Sequence, residues 1–495
     1  MFTEVFYLEN SVPMIIVIAF LLGMIIVGIF ASKKTKDSEG QLVGNRNSGY
    51  FLIVGTLFAT FWGAGTVLGS SGSAYHDGVI GVIEDPFAAG LALILVGLFF
   101  VKTLRRLKLR SIGELYKKRF SKNVSYAASA FMVPTYLIWT AVQLLAIGKI
   151  ANVLFDVPVT LAFLVATVIV ITYTFLGGIL AVVWTDTIQM VIILIGLGML
   201  LFFGVRFVGG FEMIQKSTPD GYWSFIPNQT NQVSWLAYIA MWVGMALGNV
   251  PSPDVAQRAF VAKDEKTAQS GMITAGVMYW TVGFVPILLA LIGITMIDQG
   301  LVANTFAGRL VDDSELVVLL MAQELFGPVA LGIFAGSLVA AVLSSSSTSL
   351  FATAVIISND IYRPIKNETN DKRMVLMTRL SIIFVGVLSV VIAFISDNLY
   401  DLTVFAFTLL FGILFFPFIL ALKSKWVNSY GVLAGMSVGF LVNLIGAIMQ
   451  RTVVPEPWEF FTLVPAALNL VAIIIVSYLT RKVNKATPLE SLYDE

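Results

Sequence analysis

Apolar residues in this chain gather into long runs separated by short polar connections. A helix needs about 20 predominantly apolar residues to cross a bilayer. Thirteen windows of that kind can be counted, centred near residues 21, 62, 90, 139, 167, 193, 243, 283, 343, 385, 411, 440 and 471. The longest stretches between them are 103–122, 208–232 and 298–326, too short to house separate chemistry. The pattern predicts an all-α polytopic membrane protein with thirteen transmembrane helices, organised as a single membrane domain over residues 1–495.

Composition agrees. The chain is 58% hydrophobic and 12% charged, with a mean hydropathy of +0.88, whereas soluble domains carry about a quarter charged residues. The absence of cysteine excludes a disulfide framework, a thiolate nucleophile and a cysteine metal site. The single histidine, His76, excludes a histidine-cluster metal centre, and a net charge of +1 argues against a nucleic-acid partner. No nucleophile–base pair or phosphate loop is visible, so no enzymatic activity is expected. The opening "MFTEVFYLENSVP" lacks the basic region of a cleavable signal, and the first hydrophobic run is expected to be a retained helix.

Charge then sets orientation. Five basic residues, Lys149, Arg206, Lys216, Arg309 and Arg451, fall on one face of the thirteen-helix arrangement, leaving 26 of 31 on the other. The rich face is expected to be cytoplasmic, with an external N-terminus and a cytoplasmic C-terminus.

Two runs are poorly built as plain spans. In "GTLFATFWGAGTVLGSSGSAY" (55–75) four glycines interrupt the apolar pattern. Gly65 and Gly69 have the spacing of a close helix contact. The same run also fits a discontinuous helix exposing backbone carbonyls to a cavity, and the two readings are compatible. Residues 344–349, "SSSSTS", place six hydroxyls in an apolar helix. Back-bonding to the preceding turn accounts for one or two of them, but six cover the whole circumference. Oxygen ligands without a resident charge suit a hard monovalent cation that must be released again. A carbonyl at Ala341 freed by local distortion, with Ser344 and Ser345 on the next turn, would set three oxygens on one face.

Few acids lie at membrane depth, where they are functional candidates. Asp186, in "GGILAVVWTDTIQ", has no basic residue within one turn of its helix, so it is expected to be neutral or cation-bound. Glu84 and Asp85 precede Pro86. Asp254 is expected to pair with Arg258 four residues on.

The runs "ATFWGAGTVLGSSGSAY" (59–75), "GGILAVVWTDTIQ" (177–189) and "AAVLSSSSTSLFATAVIISNDIY" (340–362) together resemble the sodium:solute symporter family. Its members include sodium/glucose, proline, pantothenate, sialic-acid and choline transporters. The resemblance covers roughly residues 45–422 and implies a LeuT-like core of two five-helix inverted repeats, helices 2–11, with discontinuous helices. Peripheral helices would lie at about 12–31, 430–450 and 461–480. It implies a sodium site formed by the carbonyls of Ala59, Trp62 and Ala341 and the hydroxyls of Ser344 and Ser345. A second sodium site would use Asp186, Ser344, Ser347 and Thr348. Substrate contacts would fall on Phe61, Thr66, Glu84, Asp85, Trp139, Gln143 and Trp242. The choline branch carries aromatics where Ala89 and Ser252 stand here, and the sugar branch carries polar contacts where Phe61 and Thr66 stand.

The expectation is a monomeric, sodium-coupled symporter importing a small organic solute across the plasma (cell inner) membrane by alternating access, with two Na⁺ per solute. Proton coupling on the same fold and a choline- or betaine-type substrate are the alternatives. Each Na⁺ entering down ~100 mV gains about 2.3 kcal/mol, and a tenfold gradient adds roughly 1.4 kcal/mol. Two ions would therefore sustain accumulation of about 10⁵-fold, and one ion a few hundredfold, at ~1.4 kcal/mol per tenfold.

Overall fold

A computed structural model describes residues 2–32, 38–394, 398–450 and 455–484, which are helical almost throughout. Of the basic residues counted above, Lys33, Lys34, Lys36, Arg451 and Lys485 lie outside the described residues. Twelve of the thirteen apolar windows are centred on helices, and the one near 62 is centred on a break between two of them. Among the described residues nine helices are long and apolar enough to cross a membrane. The windows near 21, 62, 167 and 243 fall instead on the shorter apolar stretches Ser11–Val27, Tyr50–Phe61, Val159–Thr172 and Trp235–Gly248.

The segments are numbered here in chain order. The first is Phe2–Ser32, and the second is interrupted between Tyr50–Phe61 and Ser70–Asp77. The third ends in Ala89–Phe99, and the fourth is Lys122–Phe155. The fifth and sixth form one continuous run, Val159–Phe207, turned at Gly178 (φ 58°, ψ −162°), a backbone geometry closed to residues with a Cβ. The seventh is interrupted between Trp235–Gly248 and Pro253–Val261. The eighth to thirteenth are Glu265–Asp298, Pro328–Val355, Asp371–Ile392, Leu399–Lys423, Ser429–Gln450 and Trp458–Thr480. The second and seventh segments, five apart, are thus broken at matching places, as expected of two repeats.

Polarity is arranged inside out. Apolar side chains such as Ile18, Leu22, Val168, Ile195, Val387, Ile445 and Ile475 point outward, whereas Thr56, Thr60, Asp186, Arg258 and the whole 344–349 run are buried. Nothing apolar is gained by moving a leucine from lipid into protein, so close packing and internal hydrogen bonds hold the bundle together. The twelfth and thirteenth segments pack on each other and on the eleventh.

Each face is tied across several connections. On the basic face Arg46 donates to the carbonyls of Lys108, Leu109 and Phe260, and Arg105 to those of Ala262 and Lys263. Ser48 bridges to Ala262. Arg119, fully buried, donates to the carbonyls of Ala421 and Ser424 at the end of the eleventh segment. On the opposite face Lys149 pairs with Asp313 (2.8 Å) and Glu315 (2.6 Å). Glu315 Oε1 also accepts the amides of Leu399 and Tyr400, the first turn of the eleventh segment. Burial pushes the Glu315 carboxyl above its usual range, while the Lys149 ammonium pulls it back down.

Where the seventh segment breaks, Gly248 lies against the eleventh, and a Cβ there would overlap the carbonyl oxygen of Phe407. Gly248→Ala is expected to lower stability by about 1–3 kcal/mol through overpacking. Thermal unfolding of purified protein reads this directly, and an unaltered midpoint would show that the two segments separate freely.

Candidate functional site

The second segment leaves helical geometry at Trp62 (φ −80°, ψ 68°). Gly63 N–H turns to Phe61 O (2.9 Å) and Ala64 N–H to Gln143 Oε1 (2.9 Å), so neither reaches back a full turn to Ala59 or Thr60. Thr60 O instead accepts the hydroxyl of Ser345 at 2.8 Å, and Phe61 O lies 3.0 Å from Thr66 Oγ1 and 2.9 Å from Tyr279 OH. Helical bonding resumes with Val67 N–H to Gly63 O. Gly63 has no room for a side chain: a Cβ would stand 2.6 Å from Ser345 Oγ and 2.8 Å from Gln143 Oε1. The break is sustained by side chains of the fourth, eighth and ninth segments that satisfy its backbone.

The ninth segment is continuous α-helix through Val355, and its loosened, π-wound stretch is Ile356–Tyr362. The expected distortion at Ala341 is therefore displaced by several turns toward the segment's end. Ser345 Oγ nonetheless lies 3.4 Å from Ala341 O. The serine run divides by position. Ser346, Ser347 and Ser349 donate back to the carbonyls of Val342, Ser344 and Ser346. Ser344, Ser345 and Thr348 share one face and reach other segments.

Beside that face is a buried cluster of charge. Ser344 Oγ donates to Asp186 Oδ1 (2.6 Å) and Thr56 Oγ1 to Asp186 Oδ2 (2.6 Å). Arg258 Nη2 lies 3.2 Å from the same Oδ2, 2.8 Å from Thr60 Oγ1 and 2.6 Å from Thr348 Oγ1. Both charged side chains are fully enclosed. This corrects two expectations. Asp186 has a basic partner, supplied by the seventh segment rather than its own helix. Arg258 does not pair with the Asp254 carboxylate, which instead accepts the hydroxyl of Tyr136; Arg258 reaches only the Asp254 backbone carbonyl, at 3.5 Å. The break at 249–252 turns Pro253–Val261 so that Arg258 points between the second, sixth and ninth segments.

A cavity adjoins the break, lined by Phe61, Thr66, Asp85, Ala89, Trp139, Gln143, Asn249, Tyr279, Thr403 and Phe407, among others. It offers about 20 Å³ of room for the centre of a water-sized sphere, so a solute needs its walls to part. Asp85 accepts Tyr279 OH (2.5 Å) and Thr66 Oγ1 (2.8 Å). Gln143 Nε2 and Asn249 Oδ1 are buried without a hydrogen-bond partner among the described residues.

The sequence profile of the sodium:solute symporter family matches residues 41–439. The chain belongs to this family. Among curated members, this symporter is 25% identical over 447 residues to the high-affinity choline transporter 1 of Torpedo marmorata, covering 87% of this chain and 76% of that one. It is 27% identical over 491 residues to the osmoregulated proline transporter OpuE of Bacillus subtilis, covering 94% and 95%. Among solved structures, a Na⁺-coupled sialic acid symporter in a substrate-bound outward-open state superposes with a TM-score of 0.80 at 19% identity, over 97% of this chain and 99% of that one. A second, MhsT in complex with L-phenylalanine, gives 0.51 at 13% identity. The symporter has the LeuT-like transporter fold, and its family and structural neighbours are transporters rather than enzymes.

Of the expected sodium ligands, Ala59, Trp62, Ala341, Ser344 and Ser345 are all buried, in the second and ninth segments, which meet through the Ser345–Thr60 bond. Carbonyl and hydroxyl oxygens are the donor type that suits a hard monovalent cation. Of the expected substrate contacts, Phe61, Thr66, Asp85, Trp139 and Gln143 line one cavity. Glu84 and Trp242 do not. Glu84 lies 3.4 Å from Tyr400 OH, and Trp242 meets Phe225 at a tilt and Tyr238 edge-on. Of the tentative second-ion set, Ser347 bonds back into its own helix, and Thr348 meets Arg258. Sequence reasoning missed Tyr279, which touches both Phe61 O and Asp85, and the reach of Arg258. The Pro- and Gly-flanked "GNVPSPD" was a signal for the second break.

Gln143→Leu would leave Ala64 N–H buried without its acceptor. A loss of about 1–3 kcal/mol is expected, seen as a lower unfolding midpoint. Full stability would show that the break does not lean on the fourth segment.

Proposed function

We propose that this symporter imports a small organic solute with Na⁺ across the plasma membrane, with thirteen crossings, an external N-terminus, a cytoplasmic C-terminus, and the monomer as the working unit. The observation that supports the sodium site is the interrupted second segment, whose Thr60 carbonyl accepts the Ser345 hydroxyl of the ninth. An ion bound by Ala59, Trp62, Ala341, Ser344 and Ser345 would draw these two segments together. It would favour whichever state holds all five oxygens in reach, by differential affinity. Solute binding beside the same break would then be coupled to the ion through Phe61, Gly63 and Gln143, which touch both regions.

The cavity favours a compact solute with a cationic nitrogen. Asp85 supplies a carboxylate among Phe61, Trp139, Tyr279 and Phe407, and the free Gln143 Nε2 offers a donor to the solute's other end. Amino acids and betaines share this chemistry. A thermal-shift screen of amino acids, betaines, carboxylates, sugars and vitamins, each in Na⁺ and in K⁺, tests the reading. A cationic or zwitterionic amine that stabilises only in Na⁺ is the expected result; stabilisation by sugars alone would sink the solute class.

In reconstituted vesicles, Ser345→Ala is expected to raise the Na⁺ concentration for half-maximal uptake at least tenfold, about 1.4 kcal/mol, while leaving the protein folded. Unchanged sodium dependence would remove the site, and uptake that ignores Na⁺ but follows pH would favour proton coupling.

A further inference from the structure

The carboxylate of Asp186 already has a cation. Arg258 Nη2 sits between Asp186 Oδ2 (3.2 Å) and Thr348 Oγ1 (2.6 Å), two of the oxygens expected to hold a second Na⁺. Of the remaining members of that set, Ser347 donates back to Ser344 O within its own helix, and Ser344 donates to Asp186 Oδ1, its lone pairs remaining for the first site. A ligand hydroxyl must present its oxygen to an ion, and Thr348 presents its oxygen to the guanidinium. Asp186 and Arg258 are enclosed together as an ion pair; the neighbouring Asp254 accepts the Tyr136 hydroxyl at Oδ1, and its Oδ2 is buried with no hydrogen-bond partner among the described residues. A further cation at Asp186 would stand beside the guanidinium that already pairs with that carboxylate. The residues of the tentative second site therefore do not fit Na⁺ as they are arranged.

We propose that the Arg258 guanidinium is a built-in cation that takes the place of a second Na⁺ at Asp186, so that the symporter binds and carries one Na⁺ per cycle. The side chain does for the Asp186 cluster what an ion would do: it joins the second, sixth and ninth segments through Thr56, Thr60, Asp186 and Thr348. Unlike an ion, it is never released. This rests on the sodium-symport reading above and narrows it to a single coupling ion.

Equilibrium binding of ²²Na⁺ to the purified full chain, with N-methyl-D-glucamine holding ionic strength, tests the proposal without knowledge of the solute. The wild type should bind one Na⁺ per chain, without cooperativity. Arg258→Gln should expose the carboxylate and bind two. Asp186→Asn combined with Arg258→Gln, which removes both charges at nearly constant shape, should return to one. Two ions in the wild type would overturn the proposal, as would one ion in a folded Arg258→Gln protein. Should Arg258→Gln not fold, the wild type and the neutral pair still decide: one ion in each supports the inference, and two falling to one refutes it. A wild type that binds no Na⁺ would instead bring down the sodium reading, and the inference with it.

Discussion

A membrane interior tolerates no unpaired backbone, and this symporter depends on how that constraint is met at residues 59–66. The second segment can open only because neighbours accept and donate in place of its own turns. Gln143 receives Ala64 N–H, Ser345 donates to Thr60 O, and Thr66 and Tyr279 attend Phe61 O. Each of these replacements comes with a directional polar group in a dry setting, where such bonds are strong and their loss is costly. The same groups that make the break affordable also define where an ion and a solute could sit. Structure and site are thus one set of hydrogen bonds.

The three regions around the break communicate through short links. Thr60 presents its carbonyl to Ser345 and its hydroxyl to Thr348 and Arg258, so one residue belongs to both the carbonyl site and the charged cluster. Phe61 offers its ring to the cavity and its carbonyl to Tyr279, which also holds Asp85. Movement of the second segment by a fraction of a turn would alter all three together. A packed interior favours discrete rearrangement over gradual deformation, which suits a carrier alternating between two states.

Much of this was legible in the sequence. Run length located the long apolar helices, and the glycines of 55–75 foretold the first break. The hydroxyl face of Ser344, Ser345 and Thr348 also emerged where the polarity of 344–349 demanded it. What stayed hidden was pairing between distant segments. Arg258 stood four residues from Asp254, so local spacing assigned it to the wrong carboxylate, while its true partner lay 72 residues away on another helix. Tyr279 looked like one more aromatic in an apolar run, because nothing in its neighbourhood shows which side faces Asp85. Glu84 and Asp85 looked equivalent in sequence, but Asp85 has extended backbone geometry (φ −136°, ψ 114°) and lines the cavity, whereas Glu84 faces Tyr400.

Glu315 ties the fourth segment to the start of the eleventh. Its carboxylate holds Lys149 of the fourth segment and also completes the first turn of the eleventh, where amides would otherwise lack acceptors. Parting this face therefore strips a helix terminus of its cap in the same motion that separates an ion pair. Both side chains are largely shielded, at 11% and 8% exposure, so counter-ions in the medium reach the pair poorly. The strength of this tie therefore depends little on the surrounding salt.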